Sequence, residues 1–277
     1  MQCGFTANAD TTENPTNEHF YLHNHDDYEI YMFLEGDSSY RVEGVDYLLE
    51  PRDIIIIRKH EMHRVFHNGP AMYRRIVLNV SPQFFSDNGC TEYERQFSAR
   101  GRDGNKICAD TVVKSGLYDA FMRLKNCSSE FSDINTPIAR AIVVEILYLI
   151  NSVCTFIGPG KRNEPVQKII NYINNRYTDN LSLDELERRF FVSKYHICHI
   201  FREATGLTVH RYIRRKRLTL VRELTACGNN LGEAAQTAGF GTYSSFYRAY
   251  TSEFGAPPRE IIPDSDLNSS QKKLKKI

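Results

Sequence analysis

One pattern occurs twice in the C-terminal half of this chain, the second copy forty-nine residues after the first. In SKYHICHIFREATG, the apolar residues Ile197, Ile200, Phe201 and Ala204 fall at i, i+3, i+4 and i+7, the spacing of a buried helical stripe. Tyr195, Cys198, His199 and Arg202 keep that spacing two positions earlier, about 200° round the helix, so they face away from the core. In TYSSFYRAYTSEFG the apolar positions are Phe246, Ala249 and Tyr250, with Ser244, Tyr247, Arg248 and Thr251 opposite. Gly206 and Gly255 close the two helices at the same offset, where a left-handed residue is expected. A further short helix precedes each, Leu183 to Phe190 and Leu231 to Ala238, the first opened by a Ser182/Glu185 capping box, and a last helix is expected from Pro258. Helix, tight turn, helix, twice over, is a pair of helix-turn-helix units.

Charge sorts with this division. The formal net charge of +1 conceals 15 Lys and Arg against 22 Asp and Glu in residues 1–160, and 20 against 12 in residues 161–277. The halves therefore carry −7 and +8. A basic half beside an acidic one points to a polyanionic partner for the C-terminal part alone. An outward helix face bearing Arg, His, Tyr and Ser suits the major groove, where Arg can hydrogen-bond guanine and hydroxyls can reach either base edge. The helix between the units, Val209 to Ala226, would run about 27 Å at 1.5 Å per residue, close to the roughly 34 Å repeat of the groove. Both recognition helices could then enter successive turns on one side of a duplex.

The run LGEAAQTAGFGTYSSFYRAYTSEFGAPPREI resembles the signature of the AraC/XylS family of bacterial transcription regulators, with Ala235, Gly239, Phe240, Phe246, Tyr250, Gly255 and Pro258 at its hallmark positions. The likeness extends over about residues 164–262. It implies base contacts from Tyr195, Cys198 and His199 in the first recognition helix and from Tyr243, Ser244, Tyr247 and Arg248 in the second; Arg202 joins them on the outward stripe. It further implies promoter DNA and RNA polymerase as partners, an activator's role, and a homodimer. Two positions depart from the pattern: Glu187 stands where the leading helix usually has Ala, and Phe191 where the turn usually has Gly. Cys198 and His199 likewise replace the amide and Arg types common there.

The N-terminal half changes to strand signals. YEIYMFLEG, SYRVEG, VDYLLE, DIIIIRK, HRVFHN and MYRRIVLNV, separated by Gly, Pro, Asp and Asn, suggest a small barrel or jelly roll between Phe20 and Val80. His23, His25, Glu29 and Gly36 resemble the first cupin motif, and Pro51-Arg52-Asp53 followed by His63 resembles the second, with Arg52 where Gly is common. The resemblance implies one site made by His23, His25, Glu29 and His63. Two uses compete for it: holding Fe, Mn, Ni or Zn as in a cupin metalloenzyme, or lining the pocket of a sensor for a small molecule such as a sugar. A third reading leaves these residues in turns and rims. AraC/XylS regulators commonly carry such a domain as an effector sensor, so the sensor without metal or other cofactor is our expectation; a metalloenzyme with an accessory DNA-binding domain is the rival.

Segments near Asp110 to Asn126 and Thr136 to Phe156 read as helices, the second with a stripe of Ala139, Ile142, Val143, Ile146, Leu147, Ile150 and Val153 that covers the barrel or joins two subunits. The apolar run around Ile142 to Ile157 is broken by Glu145 and Asn151, short of the roughly 20 residues of a membrane span. The N-terminus lacks the basic-then-apolar order of a secretory signal, and seven scattered cysteines without C-x-x-C suit reduced thiols in a cytoplasm. The expectation is an α+β multidomain chain: a cupin-like β-barrel with flanking helices for sensing and dimerisation over residues 1–157, a linker at 158–165, an all-α DNA-binding domain of two helix-turn-helix units over 166–263, and a disordered Ser- and Lys-rich tail at 264–277. The chain would be a cytoplasmic, effector-controlled transcription regulator, not an enzyme.

Overall fold

The computed structural model describes residues 4–18, 20–94, 104–128, 135–153 and 164–258. The tail, residues 158–163 of the expected linker, and the helix expected from Pro258 lie outside these residues. The chain forms two compact units, one of residues 1–23 and 27–162 and the other of residues 163–277 together with 24–26.

Among the described residues the N-terminal unit contains eight strands: β1 Phe5–Thr12, β2 Tyr28–Glu35, β3 Ser38–Val42, β4 Val45–Leu48, β5 Ile54–Ile57, β6 His63–His67, β7 Tyr73–Val80 and β8 Lys106–Ile107. They make a five-stranded sheet in the order β1-β7-β2-β5-β8 and a three-stranded sheet in the order β4-β3-β6, with antiparallel neighbours throughout. The large sheet has two apolar faces. Ile30 and Met32 of β2 and Ile54 and Ile56 of β5 face the helices, while Tyr31, Phe33, Ile55 and Ile57 join Tyr40, Val42, Val65 and Tyr73 in a second core. Burial on both faces explains why DIIIIRK carries no alternation.

Helices α1 Pro82–Asp87, α2 Ala109–Lys114, α3 Leu117–Ser128 and α4 Asn135–Ser152 flank this sheet. The whole apolar stripe expected from Ala139 to Val153 is buried in the core with the outer sheet face. Each fully buried Ile or Leu of that kind contributes about 1.5–3 kcal/mol. The single helix expected at Asp110 to Asn126 is two, because Gly116 takes φ +80° between them. Strand β1 lies before the expected start of the sheet; it is an edge strand whose residues after Ala7 are mostly exposed, so no alternation marked it.

The C-terminal unit comprises α5 Glu164–Arg176, α6 Leu183–Phe190, α7 Lys194–Thr205, α8 Val209–Ala226, α9 Leu231–Thr237 and α10 Tyr243–Phe254. Helix α5 begins at Glu164, so the last two residues of the expected linker are helical, with Pro165 in the first turn where its missing N–H costs nothing. No helix among the described residues is long and apolar enough to cross a membrane.

Candidate nucleic-acid interface and ligand site

Helices α7 and α10 are the two copies of the repeat. Ser193 caps the first by accepting from the His196 N–H, and Thr242 caps the second in a reciprocal box with Ser245. Gly206 at φ +74° and Gly255 at φ +71° close them, as the spacing predicted. Ile197, Ile200 and Phe201 are buried on one helix and Phe246, Ala249 and Tyr250 on the other. All eight outward residues, Tyr195, Cys198, His199, Arg202, Tyr243, Ser244, Tyr247 and Arg248, are exposed. Tyr195 is 85 % exposed, more than Tyr243 or Tyr247. Side chains that cost this much apolar exposure without packing are available to a partner.

The two departures in the first unit are absorbed differently. Glu187 turns outward, and its Oε1 accepts the Lys194 N–H at 3.1 Å while Asp184 and Glu187 both pair with the Lys194 ammonium. The carboxylate thus serves the first turn of the recognition helix, which has free N–H groups. Phe191 takes the left-handed conformation that glycine would hold, φ +55°, with its ring 93 % exposed. A cleft of about 610 Å³ lies beside α10, lined in part by His210, Arg214 and Arg217 of α8 and by Ser245 and Arg248, with no carboxylate on its walls. The sequence did not mark this cleft, because its walls are assembled from α8, α10 and the loops before α6 and α10, which lie far apart in the chain.

In the N-terminal unit, a single antiparallel bridge joins His23 to His63, with N–H···O distances of 3.0 and 2.8 Å, and sets their rings 4.2 Å apart. Glu29 reaches the same place from β2. One ligand atom from each of His23, His25, Glu29 and His63 lies within 4.8 Å of the others. The sequence-predicted set is therefore brought together. His63 is fully buried and Glu29 nearly so.

The tautomers follow from the neighbours. Nδ1 of His23 lies 3.0 Å from the Tyr21 carbonyl oxygen, and Nδ1 of His63 lies 2.8 Å from that of Glu61. A carbonyl only accepts, so each Nδ1 donates, which turns each Nε2 towards the cluster. His63 Nε2 stands 3.6 Å from Glu29 Oε2. Acceptors converging in this way call for a cation, a proton or a metal, or for donors on a ligand. Anchoring of the far imidazole nitrogen by a backbone carbonyl is also how metal-binding histidines are oriented, so this donor set fits a divalent transition metal.

Tyr40, which sequence reasoning did not single out, donates its hydroxyl to Glu29 Oε1 at 2.9 Å. Burial first, and the Glu29 charge second, hold its pKa well above the usual tyrosine value, so it stays a donor. Its inward place in the alternation of SSYRV was the available signal. Asp53 of the second motif plays a different part. It is fully buried, pairs with Lys106 at 2.5 Å and accepts the Ala109 N–H at the start of α2.

Comparison with known proteins follows these two units. An AraC-like ligand binding domain matches residues 11–142, and a helix-turn-helix domain matches residues 186–262. The chain belongs to the AraC family. As an AraC-family regulator it is similar over most of its length to the HTH-type transcriptional activator RhaS of Yersinia pestis (strain Pestoides F), with 23% identity over 248 residues, 86% of this chain and 88% of that protein. RhaS of Citrobacter koseri is 20% identical over 248 residues, 88% of each chain. Among solved structures, ToxT from Vibrio cholerae aligns with 92% of this chain and 96% of its own at 14% identity and a TM-score of 0.42.

Proposed function

We propose that this AraC-family regulator activates transcription when a small molecule binds its N-terminal unit at His23, His25, Glu29 and His63, and that α7 and α10 read the promoter. What carries the reading is the pairing in one chain of two capped helices with outward polar faces and a buried polar cluster in a ligand-binding domain. Tyr195, Cys198, His199 and Arg202 on α7, and Tyr243, Ser244, Tyr247 and Arg248 on α10, meet base edges; His210 and Arg214 meet phosphate. The regulator works as a cytoplasmic homodimer with RNA polymerase, and it catalyses no reaction. A sugar or other polyhydroxylated effector suits a cluster made of acceptors and one buried hydroxyl.

The decisive experiment selects duplex DNA from a random pool with the purified protein, then screens sugars and organic acids for a rise in melting temperature and for a change in affinity for that DNA. A compound that does both supports the reading. Failure to enrich any sequence overturns it.

The Nδ1 anchoring of His23 and His63 favours a second reading, in which the effector meets a metal. His23, His25, Glu29 and His63 would hold it, and it would supply a Lewis-acidic seat for an effector oxygen. Metal analysis of protein purified without chelator separates the two: a stoichiometric transition metal supports the second, its absence the first.

A further inference from the structure

Arg217 stands at the middle of α8, the helix that joins the two helix-turn-helix units, and its guanidinium is directed at backbone carbonyls. Its Nε donates to the Tyr177 carbonyl at 2.6 Å, one terminal nitrogen to the Asp179 carbonyl at 2.7 Å and the other to the Gly239 carbonyl at 2.7 Å. Tyr177 and Asp179 belong to the loop between α5 and α6, at the entrance to the first unit, whereas Gly239 lies in the turn between α9 and the recognition helix α10. Three carbonyls from two separate units are therefore gathered on one planar, permanently charged fork, a geometry that lysine cannot reproduce. Burial lowers the Arg217 pKa, in keeping with a cation drawn into the fold for these bonds.

Gly239 completes the contact. Its backbone adopts φ +91°, and a Cβ placed there would come 2.2 Å from the Thr178 carbonyl oxygen and 2.8 Å from its carbonyl carbon. The turn of the second unit is thus pressed onto the loop of the first, backbone against backbone. Without this contact the recognition helices would be linked mainly through α8, and rotation or bending of one helix would let their outward faces drift.

We infer that Arg217 and Gly239 form a clamp that fixes the register of the two recognition helices, so that this protein selects the spacing between two DNA half-sites as well as their sequence. Arg217 is a positioning residue: it need not touch DNA. The inference rests on the reading in which both helices bind DNA, and the test separates the two.

The probe is the duplex selected by the wild-type protein from a random pool, together with versions carrying two inserted base pairs between the half-sites. Two base pairs turn one half-site by about 70° relative to the other, at 10–10.5 base pairs per turn. For the wild type, affinity should fall at least about 30-fold on insertion, because one helix loses its groove while each good base contact is worth an order of magnitude or so. For Arg217→Lys and Gly239→Ala the same insertion should cost about 3-fold or less, with the base preference within each half-site unchanged and melting curves still cooperative. A merely structural role would weaken both duplexes alike and leave their ratio where it was. If the wild type ignores the insertion, the two-helix reading fails and the clamp fails with it. If the wild type responds and both variants respond equally, the clamp alone is overturned.

Discussion

Phe191 holds a left-handed backbone conformation that costs an ordinary L residue about 1–2 kcal/mol, and its exposed ring recovers none of this by packing. Part of that cost is offset because glycine loses more freedom on folding. Phe191→Gly should therefore stabilise the C-terminal unit by up to about 1 kcal/mol, seen as a higher urea midpoint at unchanged slope; a lower midpoint would show that glycine's greater loss of freedom on folding outweighs the strain relieved. His67 argues in the other direction, from burial of a titratable group. Its pKa is lowered to about 4, by burial first and then by the charges of Arg75 and Arg64, while its Nδ1 lies 3.0 Å from the Ser38 hydroxyl. Above about pH 6.5 both folded and unfolded imidazoles are neutral and the stability is fully present. Between about 6.5 and 4 the unfolded chain takes up a proton that the folded chain refuses, so stability falls as pH falls. His67→Gln should remove about 1–2 kcal/mol of that decline after allowance for solvent screening. An unchanged decline from pH 7 to pH 4.5 would move its origin to the carboxylates.

At the scale of the element, the two recognition helices are alike in length and caps and differ in what they present. Arg248 is exposed on α10, and its Nε makes a 3.4 Å contact with the Ser244 carbonyl of its own helix, a bond it can give up for guanine. Arg248→Ala should cost about 1–3 kcal/mol on the selected site and relax the preference at one base pair. A uniform loss across all sequences, read in the same binding titrations, would instead place Arg248 on phosphate. These helices were legible because their period, caps and closing glycines agree at every level: the expected bounds of α6 and α8 are those observed. Where periodicity is weak the sequence is mute. Strand β1 is an edge with most of its side chains in water, β8 has only two residues, and α2 and α3 share one apolar face across the break at Gly116. The Ser81-Pro82 start of α1 was a readable signal, a capping hydroxyl followed by proline at the first helical position. The four site residues could be named from the motif, but the bond from Tyr40 to Glu29 crosses between two sheets, and the anchors of His23 and His63, each a carbonyl only two residues back, depend on local backbone conformation that residue type does not encode.

For the whole molecule, an effector in one unit controls DNA binding by the other only through a coupling free energy, and that coupling must be reciprocal. If an effector tightens operator binding tenfold, about 1.4 kcal/mol, the operator must tighten effector binding tenfold as well. The acidic and basic halves of the sequence sharpen the test, because the C-terminal half carries the excess positive charge that draws DNA. Glu29→Gln keeps the shape of a buried side chain and its place beside the Tyr40 hydroxyl, but removes the charge at the centre of the cluster. In that variant both coupling factors should fall towards one together, while affinity for the selected duplex without effector stays within about twofold of the wild type, since no DNA-reading residue has changed. Four titrations decide it: effector with and without duplex, and duplex with and without effector, at one salt concentration. Unequal factors would mean that the effector acts on a rate or on assembly instead of on an equilibrium between two states. Loss of basal DNA affinity in the variant would show that Glu29 supports the fold on which DNA binding depends, and the ligand site would then have to be sought elsewhere in the N-terminal unit.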